Sequence, residues 1–146
     1  MPFELGRSVI VRDVPNADLV IVAYGSLLSE AIKAQRILAG HEVEVGVVNA
    51  RFAAPVDRRI VEWLEKGKKV ITLEDHHAAC GFASAVLELA AASRAGNIRT
   101  DAIRCLGAPR AFVRHDTRER QLIQSRISAD EVVKAASQML ALSLTA

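Results

Sequence analysis

The residues at 19–23, Leu-Val-Ile-Val-Ala, form an apolar run without a polar position, and this run constrains the fold most. A strand with one face in water alternates apolar and polar side chains, whereas a strand covered on both faces is apolar throughout. Strand-like runs follow at 43–48, 69–73 and 101–106, and segments with helical spacing separate them. The pattern therefore predicts a three-layer α/β/α sandwich with a mostly parallel sheet.

Helices are predicted at 27–38, from 57 onwards, at 81–95, at 118–124 and from 128 onwards. The carboxylate of Asp57 is placed to accept the first free backbone N–H groups of the second helix. Gly40 is expected to end the first helix, and Ser128 with Glu131 has the spacing of a capping box for the last. Residues 8–12 are a candidate antiparallel strand on one edge, which would make the sheet five-stranded.

The length of 146 residues suits one domain, 1–146, in which 1–12 form an N-terminal extension or the edge strand and 143–146 fray. The net charge is only +2, with basic and acidic residues interleaved, which argues against a nucleic-acid or membrane partner. No apolar run approaches the roughly 20 residues that span a bilayer. With two cysteines and no apolar core of a signal peptide, we expect a cytoplasmic protein.

The turn after the first apolar strand, Tyr24-Gly25-Ser26, contains a single glycine. A dinucleotide-binding turn needs G-x-G-x-x-G and a P-loop needs G-x-x-x-x-G-K-[ST], and the sequence has neither spacing. No nucleotide site is therefore predicted here, although a helix N-terminus can still bind an anion.

The polar residues Glu74-Asp75-His76-His77 are expected to form a solvated loop at the carboxyl end of the third strand. His76, His77 and Cys80 could ligate zinc, but no second ligand pair stands at metal-site spacing. Cys80 with His77 as base could act as a nucleophile, but nothing in the sequence identifies an oxyanion site. We therefore predict a partly buried, inert Cys80 and no catalytic or metal site, and keep Glu74, His76 and His77 as candidate interface or regulatory residues.

Arg51 directly follows the second strand, and Asp57 stands at the start of the next helix. We predict a buried or interface ion pair for Arg51, and a structural role for Asp57 at the helix start or in an interface. Cys105 lies within the fourth strand and is predicted to be core. The segment 114–120, which is rich in charged residues, is predicted to be a solvated face.

Four segments in register resemble the C-terminal domain of transketolase-family enzymes, which use thiamine diphosphate. They are AYGS at 23–26, VVNARFAAPVD at 47–57, LED with CGFAS at 73–75 and 80–84, and LGAP with FVRH at 106–109 and 112–115. The Ala-Arg-Phe triplet and His115 are most similar to the 1-deoxy-D-xylulose-5-phosphate synthase branch. Departures from the pattern include Arg110 in place of aspartate and Cys80 in place of glycine.

The resemblance implies an enzyme that condenses pyruvate with glyceraldehyde 3-phosphate and releases carbon dioxide. The family's magnesium and diphosphate site needs a Gly-Asp-Gly segment, and no Gly-Asp pair occurs in this sequence. The resemblance therefore implies that thiamine diphosphate and magnesium are bound by other domains of the enzyme. The present domain would bind no cofactor, would contribute packing and homodimer formation, and would be inactive alone.

Two other interpretations stay open. The first is the equivalent domain of a 2-oxo-acid dehydrogenase beta subunit, which contacts an acyltransferase core. The second is a stand-alone regulatory module that binds a small anion near residues 24–28 or 74–81.

Overall fold

The computed structural model describes residues 4–12, 14–93 and 98–142. The strands are β1 (Val9–Arg12), β2 (Leu19–Ala23), β3 (Val45–Asn49), β4 (Lys69–His77) and β5 (Ile103–Ala108). The helices are α1 (Leu28–Gly40), α2 (Arg59–Glu65), α3 (Phe82–Ala92), α4 (Arg118–Gln124) and α5 (Ala129–Leu140). Short 3-10 turns at Gly25–Leu27 and Thr100–Ala102 precede α1 and β5.

The five strands form one sheet in the order β1-β3-β2-β4-β5. The edge strand β1 runs antiparallel to β3, and every other pair is parallel. All five residues of the central strand β2 are buried, as its unbroken apolar sequence predicts. The predicted α/β/α class, the parallel core and the antiparallel edge strand are therefore confirmed.

Alternate residues of the central strands face opposite helix layers. Leu19 and Ile21 pack with α1 and α5 in one core cluster, which also contains Leu122 of α4. Val20 and Val22 pack with Ile60 and Trp63 of α2 and with Phe82 of α3 in a second cluster. The period-2 direction of strand side chains thus divides the core into two halves, one on each side of the sheet.

Several predicted boundaries were wrong. The predicted loop at 74–77 is the end of β4, because β5 continues to pair with this strand as far as His77 and Ala108. Gly107 and Ala108 extend β5 by two residues beyond the predicted strand at 101–106. Helix α3 ends at Ala92, and its predicted end at 95 lies outside the described residues, as do 143–146.

One of two predicted helix signals is confirmed. Gly40 is the last residue of α1, as predicted, although the left-handed residue that follows the helix is Glu42, with φ 60°. The capping box predicted for α5 was wrong. The side chain of Ser128 makes no capping bond for α5. Instead the carboxylate of Glu30, buried on α1, accepts the N–H of Ala129 at 3.0 Å. A partner 99 residues away replaces the local capping box.

Within the described ranges, no helix has both the length and the apolar character to cross a membrane.

Candidate functional site

Most of the candidate residues lie at the sheet edge where β2, β4 and β5 end. In parallel strands the carboxyl ends share one edge, and this edge is where α/β proteins usually place their functional loops. A cavity of about 770 Å³ opens here, with Tyr24, Glu74, His76, His77 and Cys80 among its lining residues. The side chains around this cavity determine what the edge can bind.

Glu74 is fully buried, contrary to the prediction of a solvated loop. Its Oε2 accepts the backbone N–H of Phe82 at 2.7 Å, and its Oε1 accepts that of Ala83 at 2.8 Å. These donors are the first two N–H groups of α3, which have no partner within the helix. The carboxylate therefore fixes the start of α3 against β4 and stabilises the positive end of the helix dipole.

Gly81 makes this contact sterically feasible. A Cβ atom at this position would lie 2.2 Å from the Oε2 of Glu74 and 2.4 Å from the backbone oxygen of His77. Its φ of −102° is open to any residue, so the requirement for glycine is steric. Glu74 and Gly81 thus form one structural unit, and both lie in the third family-like segment, LED with CGFAS.

Three residues far apart in sequence form a second polar contact at this edge. The Ser26 hydroxyl donates to the Oδ2 of Asp75 at 2.5 Å, and Nη2 of Arg118 donates to the Ser26 oxygen at 2.7 Å. We refer to Asp75, Ser26 and Arg118 as the Ser26 bridge. It connects the first turn, the end of β4 and the start of α4. Arg118 was predicted only as part of a solvated face, because no local pattern marks a partner 92 residues away.

The candidate zinc or nucleophile residues do not converge. His76 and His77 are exposed, and Nδ1 of His77 lies 3.3 Å from the carbonyl oxygen of Ala108. Cys80 is exposed rather than partly buried, has a φ of 64°, and donates its N–H to the Ser84 hydroxyl at 2.7 Å. Across the described part of the chain, no three His, Cys, Asp or Glu side chains are grouped to hold a metal ion.

Cys105, predicted as core, is half-buried on β5. Burial raises the pKa of its thiol. A thiol with a raised pKa is a poor nucleophile at neutral pH, which agrees with a packing role.

Arg51 is half-buried after β3 and has a φ of 61°. Its N–H donates to the Oδ1 of Asn49 at 3.0 Å, and its guanidinium carbon lies 5.9 Å from the centre of the Phe52 ring. At this distance the cation and the aromatic face attract each other. The ion pair expected of Arg51 stays a prediction.

Asp57 joins the N-terminal segment to the start of α2. Its Oδ1 accepts the N–H of Arg59 at 3.0 Å, so the carboxylate does bind a backbone donor at the helix start. Its Oδ2 also accepts the N–H and hydroxyl of Ser8 at 2.8 and 2.7 Å and pairs with the Arg59 guanidinium at 2.7 Å. Burial alone would raise the pKa of Asp57, but the hydrogen bonds from Arg59 and Ser8 hold it well below its ordinary value.

We expect Asp57→Asn to lower the free energy of unfolding at neutral pH by about 2 kcal/mol, because the amide cannot satisfy the same donors. The folded pKa lies below the unfolded one, so the carboxylate stabilises the fold above its ordinary pKa of 3.8 and loses this contribution as the pH falls further. The gap between wild type and variant should therefore be full near neutral pH and narrow as the pH falls below about 4, where the carboxylate begins to be protonated in the unfolded chain. Urea unfolding of both proteins at several pH values measures this difference in the free energy of unfolding.

The matched control is Asp18→Asn, since Asp18 is exposed. This substitution should change the free energy of unfolding by less than about 0.5 kcal/mol at neutral pH. A gap between wild type and Asp57→Asn that widened as the pH fell would contradict the assigned direction of the pKa.

A family model described as "Transketolase, C-terminal domain" matches residues 6–132. This chain belongs to the transketolase C-terminal domain family. The match spans β1 to the first turn of α5, so it includes both the Glu74–Gly81 unit and the Ser26 bridge. The resemblance noted from the four sequence motifs is confirmed.

Curated relatives of this transketolase C-terminal domain are named 1-deoxy-D-xylulose-5-phosphate synthase. The protein from Rhodopirellula baltica is 41% identical over 134 residues, which cover 91% of this chain and 20% of that protein. The protein from Pelotomaculum thermopropionicum is 37% identical over 132 residues, covering 90% of this chain and 20% of its own length. The chain therefore spans about a fifth of the length of these relatives.

Solved structures confirm the fold of this transketolase C-terminal domain. A split-gene transketolase, described as an inactive beta4 tetramer, superposes with a TM-score of 0.82 at 26% identity. The superposition covers 99% of this chain and 45% of that one. Transketolase from Leishmania mexicana gives a TM-score of 0.62 at 25% identity, with 90% of this chain covering 18% of that one. The likeness to both lies in the arrangement of the sheet and helices.

The described residues do not fit a magnesium–diphosphate site. Magnesium needs free carboxylate or carbonyl oxygens that can reach one ion. The buried carboxylates are already used inside the domain: Glu74 by α3, Asp57 by Arg59 and Ser8, and Glu30 by α5 and Lys33. We derive no catalytic step from this domain.

Proposed function

We propose that this chain serves as the C-terminal domain of a 1-deoxy-D-xylulose-5-phosphate synthase-like enzyme. The reaction of that enzyme would condense pyruvate with glyceraldehyde 3-phosphate and release carbon dioxide. The observation that carries the proposal is the 41% identity over 91% of the chain to the Rhodopirellula baltica synthase. A match over 91% of the chain covers most of its elements rather than one short motif.

Within that enzyme the domain would act by packing and by supporting a homodimer. Thiamine diphosphate and magnesium would be bound by the enzyme's remaining domains. The use of Glu74, Asp57 and Glu30 as internal acceptors supports this division of roles, because these groups hold helices and the N-terminal segment in place. Arg51, His76 and His77 remain proposed interface or regulatory residues on the surface next to those domains.

The contacts at both candidate anion positions argue against the alternative of a regulatory module for small anions. At the start of α3, the carboxylate of Glu74 already takes the two N–H groups that an anion would need. At the first turn, the carboxylate of Asp75 lies beside Ser26, and its Oδ1 would be only 3.9 Å from a Cβ atom placed on Gly25. A second negative charge at either position would be repelled.

A chimera tests the proposed function. The C-terminal fifth of the Rhodopirellula baltica synthase is replaced with this chain, and product formation from pyruvate and glyceraldehyde 3-phosphate is measured. We expect the chimera to keep at least about a tenth of the parent kcat/KM, a loss equivalent to about 1.4 kcal/mol, since homologous packing surfaces tolerate substitution. A parent truncated at the same boundary should be inactive.

Calorimetry on the isolated chain tests the proposed division of roles between the domains. Titration with thiamine diphosphate and magnesium should give no saturable heat at micromolar concentrations. An inactive but folded and dimeric chimera would reject the proposed function, and cofactor binding to the isolated chain would reject the proposed division of roles.

A further inference from the structure

The segment 109–117, between β5 and α4, presents an aromatic side chain to solvent. Phe112 is 91% exposed, which is the largest exposed fraction among the bulky apolar residues of the described chain. A phenylalanine that reaches no core contributes nothing to the stability of its own domain, since its stabilising effect comes from burial. Exposed aromatic residues of this kind are typical anchors of protein interfaces.

The segment that carries Phe112 is constrained by hydrogen bonds on both sides of this residue. The N–H of Ala111 donates to the Pro109 oxygen at 2.8 Å, and the side-chain amide of Gln121 donates to the Arg114 oxygen at 3.1 Å. The Ser26 bridge holds the start of α4, directly after the segment, against the sheet edge. Such constraints reduce the entropy lost on binding, so the segment is prepared for docking.

The charges around Phe112 indicate the chemistry of the partner. Residues 109–120 include four arginines and two acidic residues. Arg120 lies 3.6 Å from Asp116, whereas Arg110 and Arg114 flank Phe112 and, among the described residues, form no ion pair. The surface therefore fits an apolar pocket whose rim carries carboxylates.

We propose that residues 110–114 form the docking surface for the cofactor-binding domains of the same enzyme, with Phe112 inserted as the anchor. This inference rests on the proposed function. In the curated relatives, about four-fifths of the polypeptide lies outside the matched region, which provides a large partner surface. A second copy fits less well, because a two-fold interface centred here would bring Arg110 and Arg114 against the same arginines.

Hydrogen exchange in the chimera with the Rhodopirellula baltica synthase tests the docking. We expect the amides of 111–114 to exchange at least about tenfold more slowly in the chimera than in the isolated chain, as interface burial suppresses local opening. Phe112→Ser should abolish this protection. Leu87→Ser is the matched control, because Leu87 is 44% exposed on α3, and it should leave the protection unchanged.

The outcomes separate this inference from the proposed function. An active chimera whose segment exchanges as fast as in the isolated chain, or keeps its protection in Phe112→Ser, overturns the docking surface alone. Sedimentation of the isolated chain is the remaining measurement: a dimer that Phe112→Ser dissociates would assign the surface to a second copy and overturn the inference. A monomer, or a dimer unaffected by Phe112→Ser, agrees with it.

Discussion

Glu74→Ala is expected to lower the free energy of unfolding by about 3–5 kcal/mol, one of the largest effects of any single substitution in this chain. The substitution removes a fully buried side chain. The N–H groups of Phe82 and Ala83, which donate to its carboxylate at 2.7 and 2.8 Å, are then left without acceptors. Both the space left by the side chain and the unpaired backbone donors cost free energy. Urea unfolding followed by circular dichroism measures the loss.

Two control variants separate the effect of the Glu74 carboxylate from the effects of its shape and of another carboxylate on α3. Glu74→Gln keeps the shape and one acceptor oxygen, so we expect an intermediate loss of about 2 kcal/mol. Glu88→Ala removes an exposed carboxylate from α3, the helix that Glu74 caps, and should change the free energy by less than about 0.5 kcal/mol. A loss below about 1 kcal/mol for Glu74→Ala would mean that the two hydrogen bonds do not hold the start of α3.

The layers and strands could be predicted because their signals are local and repeated. The apolar run of β2 predicts a strand covered on both faces, and all its residues are buried. Helix α4 was predicted with the observed bounds, Arg118–Gln124. The edge strand β1 was predicted within one residue at its start. Each of these elements is predicted from the pattern of its own residues, even where few of them are buried, as in α4, in which only Leu122 is buried.

The polar contacts could not be predicted because their partners are distant in sequence. Helix α5 begins with a sequence typical of a local cap, but the carboxylate of Glu30 on α1 takes the N–H of Ala129. Helix α3 likewise begins on Glu74 of β4, eight residues before Phe82. In both cases the acceptor is a glutamate from a neighbouring element, so a search for Ser, Thr, Asp or Asn at the helix start finds nothing useful.

The segment 74–77 was misassigned for a related reason. Glu-Asp-His-His has the composition of a solvated loop, but composition does not tell which polar side chain has a buried partner. Glu74 turns inward to backbone donors, whereas His76 and His77 remain exposed. The sequence signal that could have separated them is Gly81, since a small residue just before a helix indicates close approach of another group. In the sequence, only the resemblance to the transketolase C-terminal domain placed Glu74 and Gly81 in one motif.

Gly81→Ala should lower the free energy of unfolding by about 3 kcal/mol, because its Cβ would lie 2.2 Å from the Glu74 carboxylate and 2.4 Å from the His77 oxygen. The matched control is Gly40→Ala: nothing lies within 4 Å of a Cβ there, and the helical position should gain about 0.5 kcal/mol.

The decisive measurement for Gly81 is its coupling to Glu74. In a Glu74→Ala background the carboxylate no longer opposes the added methyl group, so Gly81→Ala should cost only about 1–2 kcal/mol there, owing to the remaining contact with His77. The double variant would then be more stable than the sum of the single losses predicts. Strict additivity, measured by urea unfolding of all four proteins, would show that glycine is required by the backbone alone. The sign of the coupling therefore tests whether the end of β4 and the start of α3 form one unit held by a buried carboxylate.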